Sequence, residues 1–307
     1  MIRQRWLTGV AAVAASGSVA GRAFAQDATI LDVAYAGSMG SMMEGPIKSG
    51  AADTLKVTMH GRGQGSDALA ALIAGGSIAP DVFVPVTPRP MRTVLAAGKA
   101  QSATPIARTE MVIAYSPKSK YAQQFADAAA GKAGAAPWWH VLEQPDIRFG
   151  RTDPATDPQG RNIIFTMQLA ETYYKRPGLV QKILGSTVNA SQIFDEPTVQ
   201  ARLQSGELDA ASAYRIQPGP FDLPYIRLPQ DINLGNATLH DTYARATLEL
   251  DGKTYGPEPL VYYAAVLTSS SHPERAAAFV DWLAHGAQPI FQKYFYDSPA
   301  GAAPLHA

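Results

Sequence analysis

Gly150-Arg151-Thr152-Asp153-Pro154-Ala155-Thr156-Asp157-Pro158-Gln159-Gly160-Arg161 reads as the end of a strand, a polar Asp/Pro/Gly loop and the start of a helix. Backbone N–H groups left unpaired at a helix N-terminus favour anions. The pattern occurs twice earlier: Ala36-Gly37-Ser38-Met39-Gly40 follows a strand, and Gly61-Arg62-Gly63-Gln64-Gly65-Ser66 precedes a helix. Small-residue turns that each feed a helix describe an α/β receptor for a small anion better than they describe an enzyme.

Outward from that stretch, strands and helices alternate. Strands are expected at 30–36, at 55–59 (running into a 61–65 loop) and at 81–85, between Pro80 and Pro85. Helices are expected at 67–74, capped by Ser66 with Leu69, Leu72 and Ile73 on one face, and at 92–97. This β-α-β-α-β order predicts a mostly parallel sheet covered by helices. A second unit begins at Glu110, with strands at 110–115, 147–150, 210–214 and 225–228. Its helices fall at 121–130, 138–142, 162–174 and 198–204. An apolar strand at 260–267, an amphipathic helix at 273–284 and a last helix at 289–294 close the chain.

Composition narrows the function. Among 307 residues, 26 basic and 26 acidic side chains balance, with no long charge block. Nothing therefore suggests a nucleic-acid or membrane-surface partner. The absence of cysteine excludes disulfides and thiolate metal sites. The six histidines are scattered without i, i+4 spacing, which argues against a catalytic zinc site. Arg3 and Arg5, the apolar run 6–15 and Ala23-Phe24-Ala25 predict a signal peptide over 1–25, with Gln26 beginning a soluble, exported chain. That run is shorter than the ~20 residues a membrane span needs.

Together with the exported start, these motifs resemble a family: Ala-Gly-Ser at 36–38, Gly-Gln-Gly-Ser at 63–66, Asp81-Val-Phe, Gly-Arg-Thr-Asp-Pro at 150–154, Asp157-Pro158-x-Gly160, Leu-Pro-Gln-Asp-Ile-Asn-Leu at 228–234 and the closing strand–helix pair. The chain resembles the periplasmic solute-binding proteins of ABC importers, in their molybdate/tungstate-binding branch. The resemblance implies a type II fold of two α/β lobes, each a mixed sheet flanked by helices, with the ligand in the cleft between them. The expected boundaries are 26–107 plus 261–307 for one lobe and 108–260 for the other, with crossings near Glu110 and Leu260. It further implies that Ser38 and Ser66 donate to ligand oxygens and that Asp157, in the Asp-Pro-x-Gly160 segment, joins the site.

Two departures bear on the ligand. Where the family has Tyr and then Arg after that Gly, this chain has Arg161 and Asn162. Where tungstate-type members carry Glu after a Tyr, Tyr214 is followed by Arg215. Arginine forks bind carboxylate, phosphate or sulfate bidentately. The expected site is therefore Ser38, Ser66, Asp157, Gly160, Arg161, Tyr214 and Arg215, and the expected ligand a non-metal oxyanion, a small organic acid or a phosphate. No catalytic residue, metal or cofactor is expected. The expected partner is an ABC permease in the inner membrane, with the receptor a periplasmic monomer. Readings of another class are a secreted serine hydrolase using Ser38, whose Ala-x-Ser-x-Gly setting resembles a nucleophile elbow, and a surface adhesin on the same scaffold. Plainer roles are also open: Ser66 and Asp157 as helix caps, Tyr214 as core, and Arg151 as the partner of a nearby carboxylate.

Overall fold

Leu31, Val33 and Tyr35 turn inward from the first strand of a computed structural model that describes residues 29–307. The expected signal peptide lies outside the described residues. That strand, β1 (Thr29–Ala36), pairs in parallel with β2 (Val57–Gln64) and β3 (Val82–Val84). The ladder continues through β4 (Ser102–Arg108), which precedes β5 (Met111–Tyr115), β6 (Phe149–Gly150), β7 (Ala210–Tyr214) and β8 (Tyr225–Arg227). A short hairpin, β9 (Leu248–Leu250) and β10 (Lys253–Tyr255), leads to β11 (Val261–Val266) and the final β12 (Leu305–His306).

These strands form two main sheets. One is six-stranded, in the order β12-β4-β11-β3-β1-β2, and the other four-stranded, in the order β6-β7-β5-β8. Both are mixed: β11 runs antiparallel to β3 and β4, and only β6 lies parallel to β7 in the smaller sheet. The chain passes between the sheets at 109–110 and again just before β11. There the Thr109 N–H donates to the Leu260 carbonyl (3.0 Å) and the Met111 N–H to that of Asn233 (2.8 Å). Buried Glu110 accepts from Arg227 Nε (2.7 Å) and Asn233 Nδ2 (2.9 Å), tying the crossing segments together.

Three helices matter for the site: α1 (Ser66–Ala74) directly after β2, α2 (Pro158–Tyr173) after the loop that follows β6, and α3 (Glu196–Ser205) before β7. A further helix, α4 (Pro273–Ala284), buries Ala276, Phe279 and Leu283 behind the larger sheet. The Gly61–Gln64 segment is strand rather than loop, in register with Val33–Ala36. Its glycines permit this, because a Cβ at Gly63 would lie 2.8 Å from the ring of Tyr35. β4, β12 and the β9–β10 hairpin have no counterpart in the sequence reading. β12 and the hairpin strands are only two or three residues long, and Ser102–Arg108, with Pro105 inside it, shows no clean alternation.

Candidate functional site

Helix N-termini from both sheets converge on one cavity of about 280 Å³. Its walls are Ala36, Gly37 and Ser38 from the turn after β1; Gly65 and Ser66 at the start of α1, with Val86; Thr156–Gln159 at the start of α2; Glu196 at the start of α3; and Tyr214 at the end of β7. Backbone N–H groups in the first turn of a helix have no partner within it, and they present partial positive charge to whatever occupies the space.

The hydroxyls are set up as donors. Ser66 is buried, and its Oγ accepts from the Val86 N–H at 3.1 Å, which leaves its proton free for a ligand. Ser66 is the first helical residue and Gly65 the cap, so the capping role expected of Ser66 falls away. Ser66→Ala orphans the buried Val86 N–H, an effect of about 1–3 kcal/mol. Urea denaturation should show that loss together with weakened anion binding; unchanged values for both would remove Ser66 from the site. Tyr214 Oη accepts from Asn162 Nδ2 at 3.0 Å, so the phenol proton is likewise available. Burial holds that phenol well above its ordinary pKa, keeping it a donor. Ser38 Oγ lies 3.2 Å from Tyr262 Oη, and no histidine lines this cavity among the described residues. A nucleophilic Ser38 would lack its base there.

Acid chemistry enters from both sides of α2 and α3. Asp157 caps α2, accepting from the Gln159 N–H at 2.8 Å. Burial pushes its carboxyl above the ordinary range against that hydrogen bond. Glu196, absent from the sequence reading, accepts from Gln217 Nε2 at 2.6 Å, and burial and the Asp157 charge raise it too. The Gln217 amide is locked in turn: its Oε1 accepts from the Tyr214 N–H (2.6 Å) and its Nε2 also donates to Gln159 Oε1 (2.8 Å). The signal for Glu196 was Asp195-Glu196-Pro197, a capped helix start with an acid in the first turn. Nothing local ties that start to the loop at 157.

A carboxyl raised by folding holds its proton more tightly in the folded state than in the unfolded chain. The pair's contribution is fully present below the unfolded value, near pH 4, and is lost as pH rises through the raised folded values. Ligand-free protein should therefore lose melting temperature relative to the Asp157→Asn, Glu196→Gln variant as pH goes from about 5 to 8. Parallel melting curves across that range would contradict the raised carboxyls.

The remaining expected residues lie elsewhere. Arg161 turns away from the cavity: Nη1 donates to the Pro154 carbonyl (3.0 Å) and Nη2 to Asp67 (3.2 Å), while the guanidinium stacks on Tyr255 at 4.7 Å. Asp67 also takes Arg89 at 2.9 Å, and Arg89 faces the same ring. The cluster is a clasp between α1, α2 and the β10 hairpin, beside the cavity but not in its wall. Arg215 belongs to the crossing, paired with Asp297 (2.7 Å) and Glu110 (3.4 Å). Each arginine has carboxylate partners close by, and those draw it out of the cleft. Gly160 lies behind the wall, where a Cβ would sit 2.7 Å from backbone atoms of Asp153 and Pro154. Arg151 is fully buried and forms no ion pair among the described residues; it donates to Gln192 Oε1 (3.1 Å) and the Ser186 carbonyl (2.9 Å), fastening the loop that leads to α3. No cluster of His, Cys, Asp and Glu suited to a metal ion occurs among the described residues, and no helix there is long and apolar enough to cross a membrane.

Two sheets, paired crossings and a cleft ringed by helix N-termini define a receptor fold. Residues 31–297 match the family model described as bacterial extracellular solute-binding protein, and the chain belongs to that family. An uncharacterized solute-binding protein of Halobacterium salinarum is 30% identical over 271 residues, 87% of this chain and 84% of its own length. The molybdate/tungstate-binding protein WtpA of Thermococcus kodakarensis is 31% identical over 198 residues, 58% of this chain. The chain spans only about half of that relative, 54% of its length. The substrate-binding domain of a putative molybdenum ABC transporter from Clostridium difficile superposes with a TM-score of 0.58 at 15% identity, covering 88% of this chain and 99% of that one. The fold is that of the type II periplasmic binding proteins.

Proposed function

We propose that this chain is the exported receptor of an ABC importer and that its cargo is a tetrahedral oxyanion of a high-valent metal, molybdate or tungstate. One observation carries the reading. Asp157 and Glu196 share a cavity with hydroxyl donors and helix N-termini, and no basic side chain lines it among the described residues. A sulfate ion would face both carboxylates with no compensating cation and no proton to offer them. A hard metal centre can instead take carboxylate oxygens as further ligands, turning repulsion into bonding. The hydroxyls of Ser38, Ser66 and Tyr214 then hold the oxo groups. The relatives named for molybdate and tungstate point the same way.

In this reading, residues 26–107 with 261–307 and residues 108–260 are lobes that close on the ligand about the Glu110 crossing. The Arg161–Asp67 clasp reinforces the closed form, and an inner-membrane permease receives the cargo. Thermal shift against molybdate, tungstate, sulfate, phosphate and citrate tests it. A ligand at ~100 times its Kd stabilises by about 2.7 kcal/mol. Molybdate and tungstate should raise the melting temperature and sulfate should not; a response confined to phosphate or citrate overturns the assignment.

A further inference from the structure

Beside the anion cavity lies a larger one of about 440 Å³. The two share Gly37, Ser38 and Glu196, so they are neighbouring compartments of one cleft. The far walls of the second are different in kind: Pro197, Ala201, Ile216, Pro220 and Phe221 present carbon surface, and Phe221 is 49% exposed. Gln200, 7% exposed, lines the same space, and its Oε1 is buried with no hydrogen-bond donor among the described residues. A buried amide oxygen without a donor is costly, and it marks where a donor from outside the chain belongs.

A bare tetrahedral oxyanion fills only the first compartment. We infer that the second is a subsite for a neutral, partly apolar organic group carried by the oxyanion, in the form of a vicinal diol bound to the metal. Such a complex forms when the diol's two hydroxyl protons leave with one oxide as water, with no change in charge or oxidation state. Glu196 stands at the junction with no cation in either wall among the described residues, so a chelator bearing extra carboxylates is disfavoured. The apolar wall suits an aromatic ring, and Gln200 suits a further ring hydroxyl beyond the two that bind the metal. This inference rests on the oxyanion reading above.

Calorimetric titration separates the two. Molybdate alone is titrated first, then molybdate pre-equilibrated with excess catechol, then with excess citrate. The expected result is binding of molybdate alone, binding about tenfold tighter in catechol, and weaker binding in citrate. Ala201→Trp, which fills the subsite from an exposed helical position, should abolish the catechol gain and leave the affinity for bare molybdate unchanged. Apparent affinity that falls in catechol in proportion to free molybdate overturns the subsite alone, as does a gain that survives Ala201→Trp. No binding of molybdate in any form overturns the oxyanion reading and the subsite with it.

Discussion

Asp157→Asn combined with Glu196→Gln should invert the anion preference of the cleft. Affinity for molybdate and tungstate falls by at least about 100-fold, since two charge-assisted contacts of about 1.5–3 kcal/mol each are removed. Affinity for sulfate rises, because amide N–H groups now face its oxygens where carboxylates stood. The substitutions keep shape and local bonding: Gln217 can still donate to a side-chain oxygen at 196, and Asn at 157 remains a good helix cap. The comparison therefore isolates charge from folding, and isothermal titration with molybdate and with sulfate reads it directly. Molybdate affinity within a few-fold of wild type would mean that the carboxylates do not touch the metal.

Gly160→Ala should be as damaging without touching the ligand. A methyl group there meets backbone of Thr152, Asp153 and Pro154, and backbone cannot swing aside as a side chain can. Overpacking of this kind costs about 1–3 kcal/mol, or roughly 2–5 °C in melting temperature for a protein of this size. The relief available is outward movement of the α2 N-terminus, which carries Thr156–Gln159 away from the hydroxyls opposite. Anion affinity should fall in step with stability. Wild-type affinity in a destabilised Gly160→Ala protein would show that the wall formed by α2 tolerates displacement.

Much of this was legible in order along the chain. Residues 138–142, 210–214 and 273–284 form the expected elements at the expected bounds, because apolar periodicity there agrees with local turn signals. Helix α2 begins at Pro158 rather than at 162, since Asp157 caps it and Pro at the first position is preorganised for helix. Ser38, Ser66, Asp157 and Tyr214 meet in one cavity, each at the junction of a strand or loop with a helix or turn. The arginines show the limit of sequence reasoning. Whether Arg161 or Arg215 faces a ligand depends on Asp67 and Asp297, which lie 94 and 82 residues away in the chain. Glu196 shows the same limit from the other side. Its helix was expected only from 198, and its neighbour Asp157 is brought close by the parallel bridge between Arg151 and Ile193, a tertiary fact.

The position of β11 has a consequence for how the molecule is made. In the larger sheet β11 lies between β3 and β4, so β4 stays apart from the paired β3, β1 and β2 until residues 261–266 have been synthesised. The smaller sheet, by contrast, is assembled from 111–227 without waiting for the C-terminus. Contacts so distant in sequence form slowly, and unpaired strand edges in the interval invite association with other chains. On release from the ribosome the smaller sheet should protect its amides first, and the anion cleft should be the last part to become competent.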